Sequence, residues 1–373
     1  MNDRPPSFGP PAAPTAGLAE WRREMESRQV QALPAGRLAV TCSAPPGTGG
    51  LGRHVEEILG AVRRAEPGER LAHEQAGGLV KWAGAVPVPL PPGLRSLAFA
   101  AEFDARAARA LPAMDGLLAF NGQSLAQQRA ARGAGARTIA LVSANSHMRH
   151  VVRRHELALR RYPLEQSWTR WMLRRNLREY DAAEQIHYAS SYIRDSFLEE
   201  GFEESRLRWF PLTPDPRFDG AGEPERSRSA GDFEVVYSGS LAVHKGVPLL
   251  IDAFRRLPHR DMRLVLLGGW STRGMRRFVQ AACAQDARIA AGPGDPLAAL
   301  RRAALCVHPA YEDGFAYAPA EAYVAGVPVI VSEDTGMKDM IDSDSRGIVL
   351  ATGDLDALSE AIDAAYRGEI LRG

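Results

Sequence analysis

Short apolar runs, each bounded by glycine or proline and followed by a helix-period pattern, recur along most of the chain. The first, RLAVTCS over 37–43, enters a glycine turn at 47–52. A pattern with Val55, Ile58, Leu59 and Val62 on one helix face comes next. Further runs lie at 116–120 and 138–142, and a second series at 233–237, 263–267, 305–308 and 327–331. Runs this short and β-branched suit buried strands better than helices. Strands alternating with helices build parallel sheets covered by helices. At 373 residues the chain exceeds one ordinary core. We therefore expect two α/β domains: 37–213 at the N-terminal side and 233–373 at the C-terminal side. The breakers and charges of PDPRFDGAGEPERSRSAG predict a linker over 214–232, and the Pro/Ala-rich start predicts a disordered, peripheral tail over 1–36.

Composition removes several function classes. Basic and acidic residues nearly cancel, 46 against 45, which gives a nucleic-acid partner no support. Cys42, Cys283 and Cys306 match neither a metal-ligand spacing nor a disulfide framework, and read as small buried hydrophobes. The N-terminus shows no signal-peptide apolar core, and no run is long enough to span a membrane, so a cytoplasmic location is expected.

Gly47, Gly49 and Gly52 fit G-x-G-x-x-G between a strand and a helix. A P-loop would need Lys and Ser/Thr where Arg53 and His54 stand. A nicotinamide site would need an acidic residue about twenty positions on, where Glu74 sits in a poor strand pattern. The remaining reading is generic: glycines let helix N-terminal N–H groups approach a phosphate or a sugar.

The second series carries more chemistry. YSGSLAVHKGVPLLIDAF (237–254) reads as strand, turn and helix, with Lys245 placed just before the helix start. Only three lysines occur in the chain, Lys81, Lys245 and Lys338, so a lysine at this anion-favouring place is not a product of composition alone. Gly268 and Gly269 follow a strand. In HPAYEDGFAYAPAEAYVAGVPVIV (308–331) a loop bears Glu312 and Asp313, Pro319 suits a first helical turn, and Glu321 falls inside the helix. Amides near 315–318 would face a bound diphosphate, and a helix carboxylate could accept from a ribose diol.

These segments, in this order, resemble the retaining glycosyltransferases of family 4, over roughly residues 38–365. GGLGRHVEE (49–57) is similar to the family's first glycine loop, and EYDAAEQIHYASSY (179–192) to its E-x-x-x-A-D-x-I-x-x-x-S region. The resemblance implies the GT-B fold, two Rossmann-like domains facing a cleft. It also implies a nucleoside diphosphate sugar as donor, a carbohydrate or lipid-linked acceptor, and no metal or other cofactor. By position, Lys245 would neutralise the diphosphate, Asp313 would contact the transferred sugar, and Glu321 would hold the ribose. His147, in Asn145-Ser-His147, would face the donor sugar. Gly49 and Gly50 would approach the donor from the first domain, and Ser240, Gly314, Phe315 and Ala316 would complete its site.

Three departures stand out. Ser240 occupies the place of the family's arginine, the first acid of the E-x7-E motif is Asp313, and the sequence given stops at 373. They leave open a catalytically impaired nucleotide-sugar-binding relative, beside a nucleotide-sugar epimerase and an NAD(P) oxidoreductase. Asp342-Ser-Asp344 reads as a solvated turn, and the arginines around His147, His150, His155 and Glu156 disfavour a metal there. The stretch 149–178 holds nine arginines and two acids, with Trp168 and Trp171 among them. It suits either a helix at the inner membrane face or, the reading favoured here, a solvated helix whose tryptophans pack inward.

Overall fold

The computed structural model describes residues 17–65, 91–221 and 233–371. Among them, helices α1 (Leu18–Ala32), α2 (Gly49–Ala65), α3 (Pro92–Ala110), α4 (Leu125–Gly133), α5 (Met148–Arg161), α6 (Thr169–Ala182) and α7 (Ser191–Glu199) accompany five strands. The strands are β1 (Leu38–Thr41), β2 (Gly116–Phe120), β3 (Thr138–Val142), β4 (Gln185–Tyr188) and β5 (Leu207–Trp209). They pair in parallel in the order β1-β2-β3-β4-β5. β1 and β2 are buried at every position, as apolar runs covered on both faces must be.

The later half contains β6 (Phe233–Ser238), α8 (Val247–Arg255), β7 (Met262–Leu267), α9 (Arg273–Gln285), β8 (Ile289–Gly292) and α10 (Pro296–Arg302). It continues with β9 (Leu305–His308), α11 (Tyr317–Val324), β10 (Val329–Ser332), β11 (Gly347–Leu350) and α12 (Leu355–Tyr366). This second sheet is also parallel, in the order β11-β10-β9-β6-β7-β8. Its order reverses between β6 and β9, the switch point whose carboxyl edge is where such sheets bind ligands.

The described residues form two compact units: one of those within 23–152 and 167–212, the other of those up to 22, within 153–166 and from 213 onward. This differs from the expected division in three places. The N-terminal segment is not a loose tail over its whole length: Leu18–Ala32 is helical and buries Trp21 and Met25. Arg22 pairs with Asp219 at 2.5 Å and donates to the Pro214 carbonyl at 2.6 Å. Residues 1–16 lie outside the described ones.

The start of the expected linker is likewise structured. Phe218 is fully buried, and the Gly220 N–H donates to the Val324 carbonyl at 3.0 Å. Residues 222–232 of that linker lie outside the described residues, as does Glu74 of the nicotinamide reading.

Third, 153–166 groups with the second unit. Ala158 and Tyr162 join its core beside Leu250, Phe254 and Met275. The Tyr162 hydroxyl donates to Asp252 at 2.7 Å, and Glu165 accepts the Val243 N–H at 2.9 Å. The expectation for the tryptophans also fails. Trp168 and Trp171 are 39% and 46% exposed, because the buried stripe of α6 is taken by Met172, Asn176, Glu179 and Tyr180.

Candidate active site

In the second unit, the loops leaving β6 and β9 meet beside the switch point. Lys245 ends the first loop, and its Nζ lies 2.9 Å from Asp313 Oδ2 and 3.1 Å from the Glu312 carbonyl. Gly246 makes this approach possible. It caps α8 at φ 74°, and a Cβ there would stand 1.9 Å from the Pro309 carbonyl oxygen. Only glycine satisfies both the left-handed backbone and the contact.

Asp313 is the hub. Oδ2 also meets His308 Nε2 at 3.0 Å, while Oδ1 accepts the Ala316 N–H at 3.1 Å. Its backbone is pinned to the neighbouring loop, with its N–H on the Asp334 carbonyl and its C=O accepting from Gly336. Burial works against the charged carboxylate. The Lys245 charge and the His308 hydrogen bond outweigh it and hold the group well below the usual carboxylate range. His308 is itself buried and stacks on Tyr237 at 5.5 Å.

Gly314 and Phe315 are buried in the same loop. Ala316 caps α11 at φ 64°, a left-handed position rare for a residue with a side chain and a place where strain is stored. Glu321 is 5% exposed inside α11, and burial together with its charge pushes the Cys306 thiol up to about 12. Cys306 is therefore an inert buried thiol. Ser240 is exposed, and its carbonyl accepts the Tyr237 hydroxyl at 2.8 Å.

In the first unit, Gly49 and Gly50 are exposed at the start of α2. The turn before them closes through Gly47 N–H to the Gly52 carbonyl at 2.9 Å. His147 does not fit the donor-facing role. It is 1% exposed, with Tyr180, Phe197 and Phe202 around its ring at 4.9, 5.1 and 5.7 Å. We therefore read it as a core histidine.

The second unit instead supplies histidines that motif spacing did not single out for the donor. His155 stacks on His244 at 4.3 Å, and burial with the nearby Lys245 charge brings His155 down to about 3. Arg154 pairs with the buried Asp334 at 3.0 Å, one residue from the strand-like bridge between Asp313 and Thr335. Asp342 accepts from Tyr323 and lies 3.5 Å from Arg346, which makes the D-x-D a turn fixed by protein contacts.

Residues 223–372 match the family model of glycosyl transferases group 1, which places the Lys245 and Asp313 loops inside the matched segment. This part of the chain is similar to group 1 glycosyl transferase domains. The chain is 24% identical over 146 residues to the capsular polysaccharide biosynthesis glycosyltransferase CapM of Staphylococcus aureus, covering 38% of each chain. It is 27% identical over 138 residues to the D-inositol 3-phosphate glycosyltransferase of Xylanimonas cellulosilytica, covering 35% of this chain and 33% of that one. These matches therefore span little more than a third of either relative's length. Sucrose-phosphate synthase of Thermosynechococcus elongatus shares the fold at TM-score 0.67 and 17% identity, over 89% of this chain and 90% of that one. With two Rossmann-like parallel-sheet units, the fold is that of GT-B glycosyltransferase structures.

Proposed function

We propose that the chain transfers a sugar from a nucleoside diphosphate sugar to a hydroxyl acceptor with retention of anomeric configuration, as a member of family 4 in polysaccharide or glycoconjugate synthesis. The Lys245–Asp313 pair at the switch point carries this reading. An acceptor oxygen bonds to the anomeric carbon as the carbon–oxygen bond to the diphosphate breaks. The nucleoside diphosphate leaves with the electron pair, and the acceptor's proton passes to the leaving oxygen. Lys245 and the amides at the start of α11 meet the developing charge, so the reading needs no metal ion. Asp313, kept ionised, accepts from a hydroxyl of the transferred sugar. Glu321 holds the ribose.

A thermal-shift panel of UDP, GDP, ADP, dTDP, their sugar conjugates and NAD(P) tests the donor class. A ligand at about 100 times its Kd stabilises by about 2.7 kcal/mol, which raises Tm by roughly 5–10 °C in a domain of this size. One diphosphate family should give that shift in the native chain and lose it in Lys245→Ala and Glu321→Ala. Stabilisation by NAD(P) alone would sink the reading. Product analysis with and without an acceptor separates transfer from epimerisation.

The exposed Trp168 and Trp171, with the exposed Arg170 and Arg174 on the same helix, favour a second feature: contact of the first unit with an anionic membrane surface. The protein should co-sediment with phosphatidylglycerol vesicles, and the Trp168→Ala, Trp171→Ala double variant should bind them several-fold less. Equal sedimentation of both proteins would remove this feature.

A further inference from the structure

In the first unit a cavity of about 320 Å³ opens beyond the carboxyl ends of β1 and β2, between α3 and α6. Phe99 and Met172 give it an apolar wall, Asn121 and Gln123 a polar floor, and Arg95 with Ser96 a charged rim. Its volume suits a small ligand, and its lining of apolar walls with a few convergent polar groups is that of a recognition site. Arg95 is exposed and makes no ion pair among the described residues.

The floor is held with unusual care. Glu179, fully buried, accepts the Ser124 N–H at 2.9 Å and the Gly122 N–H. Arg175 donates to the Gly122 carbonyl at 2.8 Å and pairs with Glu179 at 3.0 Å and with Asp104. Asp104, 2% exposed, accepts the N–H groups of Ala126 and Gln127 at 2.7 and 3.0 Å. Three ionisable side chains are thus withdrawn from water to fix residues 122–127. Such burial is costly and adds little net stability, so its gain is geometry: a floor that cannot drift.

We propose that this cavity seats the acceptor and selects one that carries an anionic group, a phosphate or a carboxylate, beside an apolar face; the assignment rests on the glycosyl-transfer reading above. Phe99 and Met172 cover the apolar face, and Asn121 and Gln123 fix hydroxyls. Arg95 supplies the charge-assisted bond that a neutral acceptor forgoes.

Calorimetric titration of the full chain with phenyl phosphate, phenylacetate and neutral phenyl β-glucoside tests it. At least one anion should bind ten-fold or more tighter than the glucoside, and the stronger of the two names the group. Arg95→Ala should abolish that preference, Arg95→Lys should keep part of it, and Phe99→Ala should weaken all three probes. Equal binding of the three, no binding of any, or an unchanged preference in Arg95→Ala would overturn the proposal. UDP and GDP titrations run alongside keep the two readings apart. Nucleotide binding should be unchanged in Arg95→Ala, whereas its absence from the native chain would count against the donor reading.

Discussion

Lys245→Ala is expected to lower turnover by about two to three orders of magnitude at saturating donor, the scale seen when one preorganised charge-stabilising donor is removed from an active site. Gly246 lets the loop pass under Pro309, and this brings the ammonium to Asp313 and the Glu312 carbonyl. Held by two partners, Lys245 would, on the proposed reading, have little freedom left to lose on meeting a diphosphate.

The same variant leaves Asp313 without its main counter-charge, in contact with His308 and the Ala316 N–H. A stability loss of about 1–3 kcal/mol should accompany it. Lys245→Ala combined with Asp313→Asn separates the two effects. The double variant should recover most of the lost Tm and none of the turnover, because the second change removes the orphaned carboxylate without restoring a cation. A double variant as active as the native chain would show that Lys245 serves folding alone. Ser240→Arg adds a third arm. If the exposed Ser240 leaves the leaving-group site short of one charge, this change should raise turnover in the native background.

The placing of this candidate site's segments is legible in the sequence, and the reason is local. Strand, turn and helix are set by short-range pattern, so the segments around Lys245 and Asp313 could be placed at carboxyl ends of strands from residue order alone. Gly246 marks a turn and Pro319 a first helical turn by their own backbone chemistry. What escaped depends on contacts distant in sequence. The grouping of 153–166 with the second unit rests on Tyr162 reaching Asp252 and Glu165 reaching Val243. His147 looked functional because it follows a strand, yet Tyr180, Phe197 and Phe202 surround it from later elements. The Asp104–Arg175–Glu179 cluster was invisible for the same cause: nothing in the local pattern of α3 predicts that Asp104 meets an arginine on α6. The tryptophans fall on the other face, because α6 turns Met172, Asn176, Glu179 and Tyr180 inward and leaves Trp168 and Trp171 exposed.

Buried histidines lead to the second large effect, a steep loss of stability below neutral pH. Burial, with the charge of His187, brings His54 down to about 3. Burial, with the charge of Arg208, brings His187 down to about 4, and both of its ring nitrogens lack hydrogen-bond partners. His155 lies at about 3, and His244 is also lowered, mainly by burial. Their ordinary value is 6.5, so below that pH the unfolded chain takes up protons that the folded chain refuses.

Glu179 opposes this trend. Burial raises its carboxyl to about 7 from 4.5, although the Ser124 N–H and Arg175 pull the other way, so over the same range the folded state holds the extra proton. Three histidines against one carboxyl leave a net uptake of about two protons on unfolding, and His244 adds to it. Each proton is worth about 1.4 kcal/mol per pH unit, so stability should fall by about 4 kcal/mol between pH 6.5 and 5. Urea unfolding at pH 7, 6 and 5 measures this directly. His187→Phe should flatten the slope by about one proton, because it removes the titrating ring with its two unpartnered nitrogens. A stability curve flat from pH 7 to 5 would mean that these histidines are protonated in the folded chain or reached by water. An unchanged slope in His187→Phe would clear that residue and leave His54 and His155 as the source.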